Sequence, residues 1–370
     1  MSRFTISCPC LFGLESVLSG EIRRMGGEEI AVQDGRVTFA GEEEMLARAN
    51  IALATAERVQ ILLGRFEARS FEELFEGVRA LPLEEFIGRR DAFPVKGSAL
   101  NSQLHSVPDC QSIIKKAAVR RLEAAYGQSW FEETGPVHQI QFSIRKDEVL
   151  ILLDTSGAGL HKRGYRRQAN LAPIKETLAA GIADLARVRE DDVVCDPFCG
   201  SGTLLIEAAY HALRIAPGLR RRFALQDWGL VGEEVFRQER ERALSLIRRQ
   251  GTFRAYGGDI DPEAVELAAQ NAAKAGVKAR IKTIRRDIGD FVPPEGAIVL
   301  CNPPYGERML DLKEARSLYR TMGQVLTRPG VKSYIISPDE EFESVFGKKA
   351  DRRRKLYNGM LRCQLFMYYR

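Results

Sequence analysis

At 370 residues, with 45% hydrophobic and 28% charged residues, the chain is too long for one small core and ordinary for a globular protein, which points to two or three domains. Its formal net charge of +5 is modest, and it shows neither a charged-then-apolar leader nor a long apolar span, so secretion and membrane insertion are disfavoured and a cytoplasmic location is expected. Seven cysteines and four histidines without paired metal-ligand spacing argue for reduced thiols, with Cys8, Cys10, Cys195 and Cys199 buried or in turns and no metal site.

In chain order, residues 1–66 read as a small α+β unit. Phe4 to Ser7 is a strand, and a helix from Leu14 to Met25 carries Leu14, Val17, Leu18, Ile22 and Met25 on one face. Strands around Ile30 to Val32 and Val37 to Phe39 flank the hairpin dipeptide Asp34-Gly35. A helix over 43–50 and a strand over 59–63 complete it. Residues 67–155 read as a second module. Its helix packs Ile113, Ile114, Ala117, Ala118 and Leu122 inward, and its last strands lie near 139–144 and 149–153. Residues 156–172 read as a linker, clearest around Thr155-Ser156-Gly157-Ala158-Gly159. Residues 173–370 form the remaining domain. No internal repeats or low-complexity tracts stand out.

That last domain carries the chemistry. Val193-Val194-Cys195 is a short buried strand, closed by Asp196, a Gly200-Ser201-Gly202 turn and a helix from Thr203. Strand, glycine-rich turn and helix form the first unit of a doubly wound sheet, whose ligands lie beyond the carboxyl ends of the strands. Gly200 and Gly202 permit close approach of a ligand, and the N–H groups of the next helix face an anion. The spacing is neither the three-glycine dinucleotide pattern nor a phosphate loop, since no Lys-Ser/Thr follows. Asp259 closes the second strand, where this fold binds ribose hydroxyls, while Asp261 before Pro262 reads as a helix cap. Asp287 is placed either to accept from an adenine amino group or as a solvated turn residue.

Asn302-Pro303-Pro304-Tyr305 follows another buried strand, Ala297 to Cys301. Consecutive prolines fix the backbone and present their carbonyls as rigid acceptors. The Asn302 side-chain oxygen and the Pro303 carbonyl can both accept from one exocyclic amine, turning its lone pair towards an electrophilic methyl group, while Tyr305 offers a ring to an extruded base. Catalysis of this kind is positioning and desolvation. Clusters at Lys115-Lys116 with Arg120-Arg121, His161-Lys162-Arg163 with Arg166-Arg167, Arg220-Arg221-Arg222 and Arg352 to Lys355 suggest a track for a phosphate backbone.

From about Ala158 onward the chain resembles the amino-methylating S-adenosylmethionine-dependent enzymes. The supporting residues are Leu160-His161-Lys162-Arg163-Gly164-Tyr165-Arg166, Ala172 to Ala179 and the motifs above. The N-terminal part resembles the ferredoxin-like plus THUMP module of bacterial 23S rRNA guanine-N2 methyltransferases, through Phe93-Pro94-Val95-Lys96-Gly97 and Ser106 to Ala117. This likeness implies an α/β fold, a Rossmann-like methyltransferase domain with a mostly parallel seven-stranded sheet, preceded by ferredoxin-like (1–66) and THUMP (67–155) modules. It implies S-adenosyl-L-methionine contacts at Asp196, Phe198, Gly200, Gly202, Thr203, Asp259, Ile260, Asp287, Ile288 and Asn302, and acceptor contacts at Asn302, Pro303, Pro304 and Tyr305. Structured RNA, 23S rRNA in the first instance, is the expected partner, contacted at Lys96, Lys115, Lys116, Lys162, Arg163 and Arg166. The pocket residues alone leave guanine and adenine open, as they do tRNA, and a non-catalytic ribosome-assembly factor is the alternative of another class.

Overall fold

The structure, a computed structural model, describes residues 3–166, 174–305 and 312–369. Arg167, Ala172-Pro173 and the expected 172/173 domain boundary lie outside the described residues. The N-terminal half comprises β1 (Phe4–Pro9), α1 (Glu15–Met25), β2 (Glu28–Gln33), β3 (Arg36–Gly41), α2 (Glu43–Ala52), β4 (Gln60–Glu67), α3 (Phe71–Arg79), β5 (Val95–Leu100), α4 (Val107–Tyr126), β6 (Ile140–Arg145) and β7 (Glu148–Asp154). Local chemistry sets several of these bounds. Ser70 caps α3 in a full capping box with Glu73, and α4 ends on Gly127, whose φ of 67° is the left-handed cap that glycine supplies. The alternating burial of β6 reflects a sheet with one covered face.

These strands form one sheet, not one per module. Its order is β2-β3-β1-β4-β7-β6-β5. The seam is the antiparallel β4/β7 pair, running from Gln60 opposite Asp154 to Glu67 opposite Glu148. Thr155 and Ser156, expected in the linker, are buried in a hydrogen-bonded corner. Thr155 Oγ1 donates to the Val59 carbonyl at 2.7 Å and accepts from Asn50 Nδ2 at 2.9 Å. Ser156 Oγ donates to Asn50 Oδ1 at 2.7 Å. A linker reading fits the glycines but misses these partners, more than 90 positions away in sequence.

The C-terminal half comprises α5 (Glu176–Leu185), β8 (Val193–Asp196), α6 (Thr203–Leu213), α7 (Glu233–Ser245), β9 (Arg254–Asp259), α8 (Pro262–Ala275), β10 (Ile281–Arg285), β11 (Ile298–Cys301), α9 (Leu312–Leu326), β12 (Lys332–Ser337), α10 (Phe342–Phe346), β13 (Arg352–Asn358) and β14 (Leu361–Tyr368). The sheet order is β10-β9-β8-β11-β12-β14-β13. The first five strands are parallel, and β14 runs antiparallel to both β12 and β13. The near-continuous burial of β8, β11 and β12 is that of strands covered on both faces. The two halves interlock: Leu14, just before α1, and Val17 of α1 join the core beneath α5 and α6, while Phe223, Leu225 and Phe236 pack into the N-terminal core.

Candidate active site

The carboxyl ends of β8, β9, β10 and β11 bring the motifs together, as expected where a doubly wound sheet reverses its order. Asp196 ends β8 fully buried, its Oδ1 accepting the Phe198 N–H at 3.0 Å. Burial pushes its pKa up to about 8, against the Phe198 hydrogen bond and with help from the nearby Asp259 charge. Asp259 reaches back across the loop: Oδ2 accepts the Gly200 N–H at 2.9 Å and Oδ1 the Asp261 N–H at 3.1 Å. Asp261 itself caps α8, accepting the Glu263 N–H at 2.9 Å. Gly202, with φ 78°, cannot be replaced freely, because a Cβ there would stand 3.1 Å from that of Ala268.

The rest of the expected cofactor shell surrounds this loop. Thr203 opens α6, and its hydroxyl lies 2.9 Å from Ser201 Oγ and 3.3 Å from Arg166 Nη1. Ile260 is exposed beside Asp259, and Ile288 is buried in the apolar cluster that also holds Phe291, Tyr319 and Phe342. Asp287 is exposed at the end of β10, accepting the Gly289 N–H at 2.7 Å. After β11, the Asn302 side-chain oxygen is buried and finds no hydrogen-bond partner among the described residues. Pro303 is buried and Pro304 half-buried. Tyr305 is buried, and its hydroxyl accepts from Asn358 Nδ2 at 2.7 Å. Asn358 escaped the sequence reading; it is the last paired residue of β13, opposite Leu361, and only the hairpin of the last two strands brings it beside the motif.

The basic residues divide. Lys96, Lys116 and Lys162 are exposed, but three expected RNA contacts are committed elsewhere. Arg163 is buried, bonded to the Leu160 and Ala54 carbonyls and paired with Glu207 at 3.3 Å. Tyr165 donates to the same carboxylate at 2.9 Å. Arg166 pairs with Glu176 at 3.0 Å and donates to the Ile174 carbonyl. Lys115 lies over the Phe93 ring and pairs with Glu133 at 2.6 Å, its pKa lowered by burial against that carboxylate. These cations are satisfied inside the protein, so a phosphate would have to break a made interaction. A count of charges cannot register that loss.

The site fits a nucleoside-bearing cofactor. It offers two strand-end carboxylates, a glycine cradle and an acceptor awaiting a donor. Among the described residues no group of three His, Cys, Asp or Glu side chains could hold a metal, and no helix is long and apolar enough to cross a membrane. Residues 163–366 match the family described as RMKL-like, methyltransferase domain. The chain belongs to this family. Residues 5–60 match the RlmL ferredoxin-like domain and residues 68–154 the THUMP domain.

The family assignment makes the protein an S-adenosylmethionine-dependent methyltransferase. The chain is similar to "Putative RNA methyltransferase YpsC" of Bacillus subtilis (strain 168), at 39% identity over all of this chain and 97% of that protein. It is 30% identical to ribosomal RNA large subunit methyltransferase K/L of Ectopseudomonas mendocina (strain ymp) over 99% of this chain, which spans only 52% of that longer protein. Among solved structures, SMU.472 in complex with SAH shares 38% identity, with a TM-score of 0.93 over all of this chain and 98% of that one. A Listeria monocytogenes str. 4b F2365 structure whose name reads "predicted N6-adenine-specific DNA methylase" shares 42% identity, with a TM-score of 0.93 over 100% and 97% of the two chains.

Proposed function

We propose that this methyltransferase acts on RNA and transfers the methyl group to the exocyclic N2 of a guanine in 23S rRNA. The observation that carries the acceptor assignment is the buried, unpartnered Asn302 oxygen at the end of β11. A buried acceptor without a donor costs stability, and an incoming amine supplies the missing donor. With Pro303 beside it as a second carbonyl acceptor, the amine is held through both of its N–H bonds and its lone pair is freed from conjugation. S-adenosyl-L-methionine supplies the electrophilic methyl group when bound. Asp196, Asp259 and the Gly200 to Thr203 loop would hold the nucleoside and the amino-acid part of this cofactor, and Phe198, Ile260, Asp287 and Ile288 would line the adenine end. Asn358 fixes the buried Tyr305 beside the two prolines by donating to its hydroxyl. No strong base is required, because the proton becomes acidic once the nitrogen is methylated.

RNA is supported by the THUMP match and by the names of YpsC and the K/L enzyme, and guanine by the family likeness. The name of the Listeria protein favours adenine N6, equally an exocyclic amine that Asn302 and Pro303 could hold. Incubating the protein with labelled cofactor and unmodified 23S rRNA, tRNA or DNA, then identifying the methylated nucleoside by mass, separates these. Label in N2-methylguanine of 23S rRNA is the expected result. Label confined to DNA or to N6-methyladenine would refute the proposal.

A further inference from the structure

Beside the acceptor motif the structure carries a surface with no part in the chemistry so far. The β13/β14 hairpin closes at Asn358 opposite Leu361, leaving Gly359 and Met360 as a two-residue turn on the same carboxyl-end side of the sheet as Asn302 and Tyr305, which follow the central strand β11. Gly359, with φ 68°, meets the positive φ that such turns require. Nothing in the turn asks for methionine at the second position, yet Met360 stands there 97% exposed. Next to it, Tyr357 meets Phe12 from the loop before α1, with ring centroids 5.9 Å apart at 62°. Phe12 is half exposed and is propped from behind by Gly35, where a Cβ would come within 3.2 Å of its ring. Lys355 lies over the Tyr357 ring at 5.4 Å, and exposed Arg362 is its cross-strand partner. Neither cation forms an ion pair among the described residues.

A half-exposed ring, a partly buried one and a flexible thioether, flanked by exposed cations without an ion pair among the described residues, form the combination that receives unstacked bases and their phosphates. An apolar protein partner would gain nothing from the two cations. We propose that Phe12, Tyr357 and Met360, with Lys355 and Arg362, form a stacking platform for an unpaired base of the RNA next to the one that is methylated. The N-terminal half, through Phe12, thereby completes the substrate site of the catalytic half. This rests on the reading above that RNA is the substrate. Tyr357 precedes Asn358 on β13, so its ring leaves the opposite face of the strand from the amide that holds Tyr305, and the platform lies one residue from that contact across the sheet.

The test is fluorescence anisotropy of the full-length protein with a labelled mixed-sequence single-stranded RNA of about twelve nucleotides, and with a blunt duplex of the same length. Phe12→Ala should weaken single-strand binding about fivefold or more, the value of one lost stacked base, and Met360→Ser about twofold or more, the lower end of a thioether–ring contact. Duplex binding, the affinity for S-adenosylhomocysteine and the unfolding midpoint should stay at wild-type values. If Phe12→Ala lowers the midpoint, the fully exposed Met360→Ser decides alone. Unchanged single-strand binding, or equal losses on both RNAs, overturns the platform. The methylated nucleoside made by the wild-type protein is scored separately. A product on DNA or on adenine removes the functional proposal even where the variants lose single-strand binding. N2-methylguanine with unaffected variants removes only the platform.

Discussion

Replacing Asn302 by alanine separates function from stability in opposite directions. The side-chain oxygen is buried and has no donor among the described residues, so the substrate amine would be its first partner. A hydrogen bond to a group gaining positive charge is worth about 1.5–3 kcal/mol, which corresponds to about a 10- to 150-fold fall in kcat. The free protein loses no hydrogen bond to that oxygen among the described residues, and removing a buried unsatisfied acceptor relieves a penalty of about 1–3 kcal/mol, offset in part by lost packing. Asn302→Ala should therefore unfold at a urea concentration equal to or above that of the wild type while transferring methyl groups far more slowly. Single-turnover transfer to 23S rRNA, calorimetry with S-adenosylhomocysteine and urea titration measure the three quantities. Near wild-type transfer, or a loss of cofactor affinity large enough to account for the slower rate, would refute the acceptor role.

Three further outcomes follow from the geometry. Asp196 has a native pKa of about 8 against an ordinary 3.8, so between those values the folded state keeps a proton that the unfolded chain has lost. This carboxyl therefore costs stability progressively as pH rises from 4 to 8, and Asp196→Asn should flatten that fall in urea titrations across the range. An unchanged pH slope would contradict the assignment. Arg163→Met strands Glu207 in the interior and should cost about 3–5 kcal/mol of unfolding free energy, with RNA affinity of the folded protein unchanged; weakened RNA binding without destabilisation would restore Arg163 as a contact. Gly202→Ala must hold φ 78° and crowd Ala268. It should weaken S-adenosylhomocysteine binding by about 1–2 kcal/mol in calorimetry, and unaltered affinity would show that the loop has room.

The catalytic half was legible because its signals are local. A strand, an acidic end, a glycine turn and a helix occupy consecutive residues from Val193 to Thr203, and the fold adds only their meeting with Asn302. The charged residues were not legible in the same way. Arg163 and Lys162 are neighbours in one basic cluster, yet one is buried against Glu207 and the other exposed. Their difference is fixed by a carboxylate 44 positions on. Asn358 was missed for the same reason: its role depends on a phenol 53 residues away. The corner at Thr155 and Ser156 looked like a linker because small polar residues suit both a flexible segment and a packed turn, and only the distant Asn50 decides between them.

The β4/β7 seam has a bearing on how this protein can be taken apart. A cut between the ferredoxin-like and THUMP segments would pass through the β4/β7 ladder of backbone hydrogen bonds, broken only by a register shift between Leu62 and Gly64. Each fragment would carry a long raw strand edge, an open template for self-association. Truncations made at that boundary should precipitate or pair with themselves, whereas the undivided N-terminal half has no such wound in its middle.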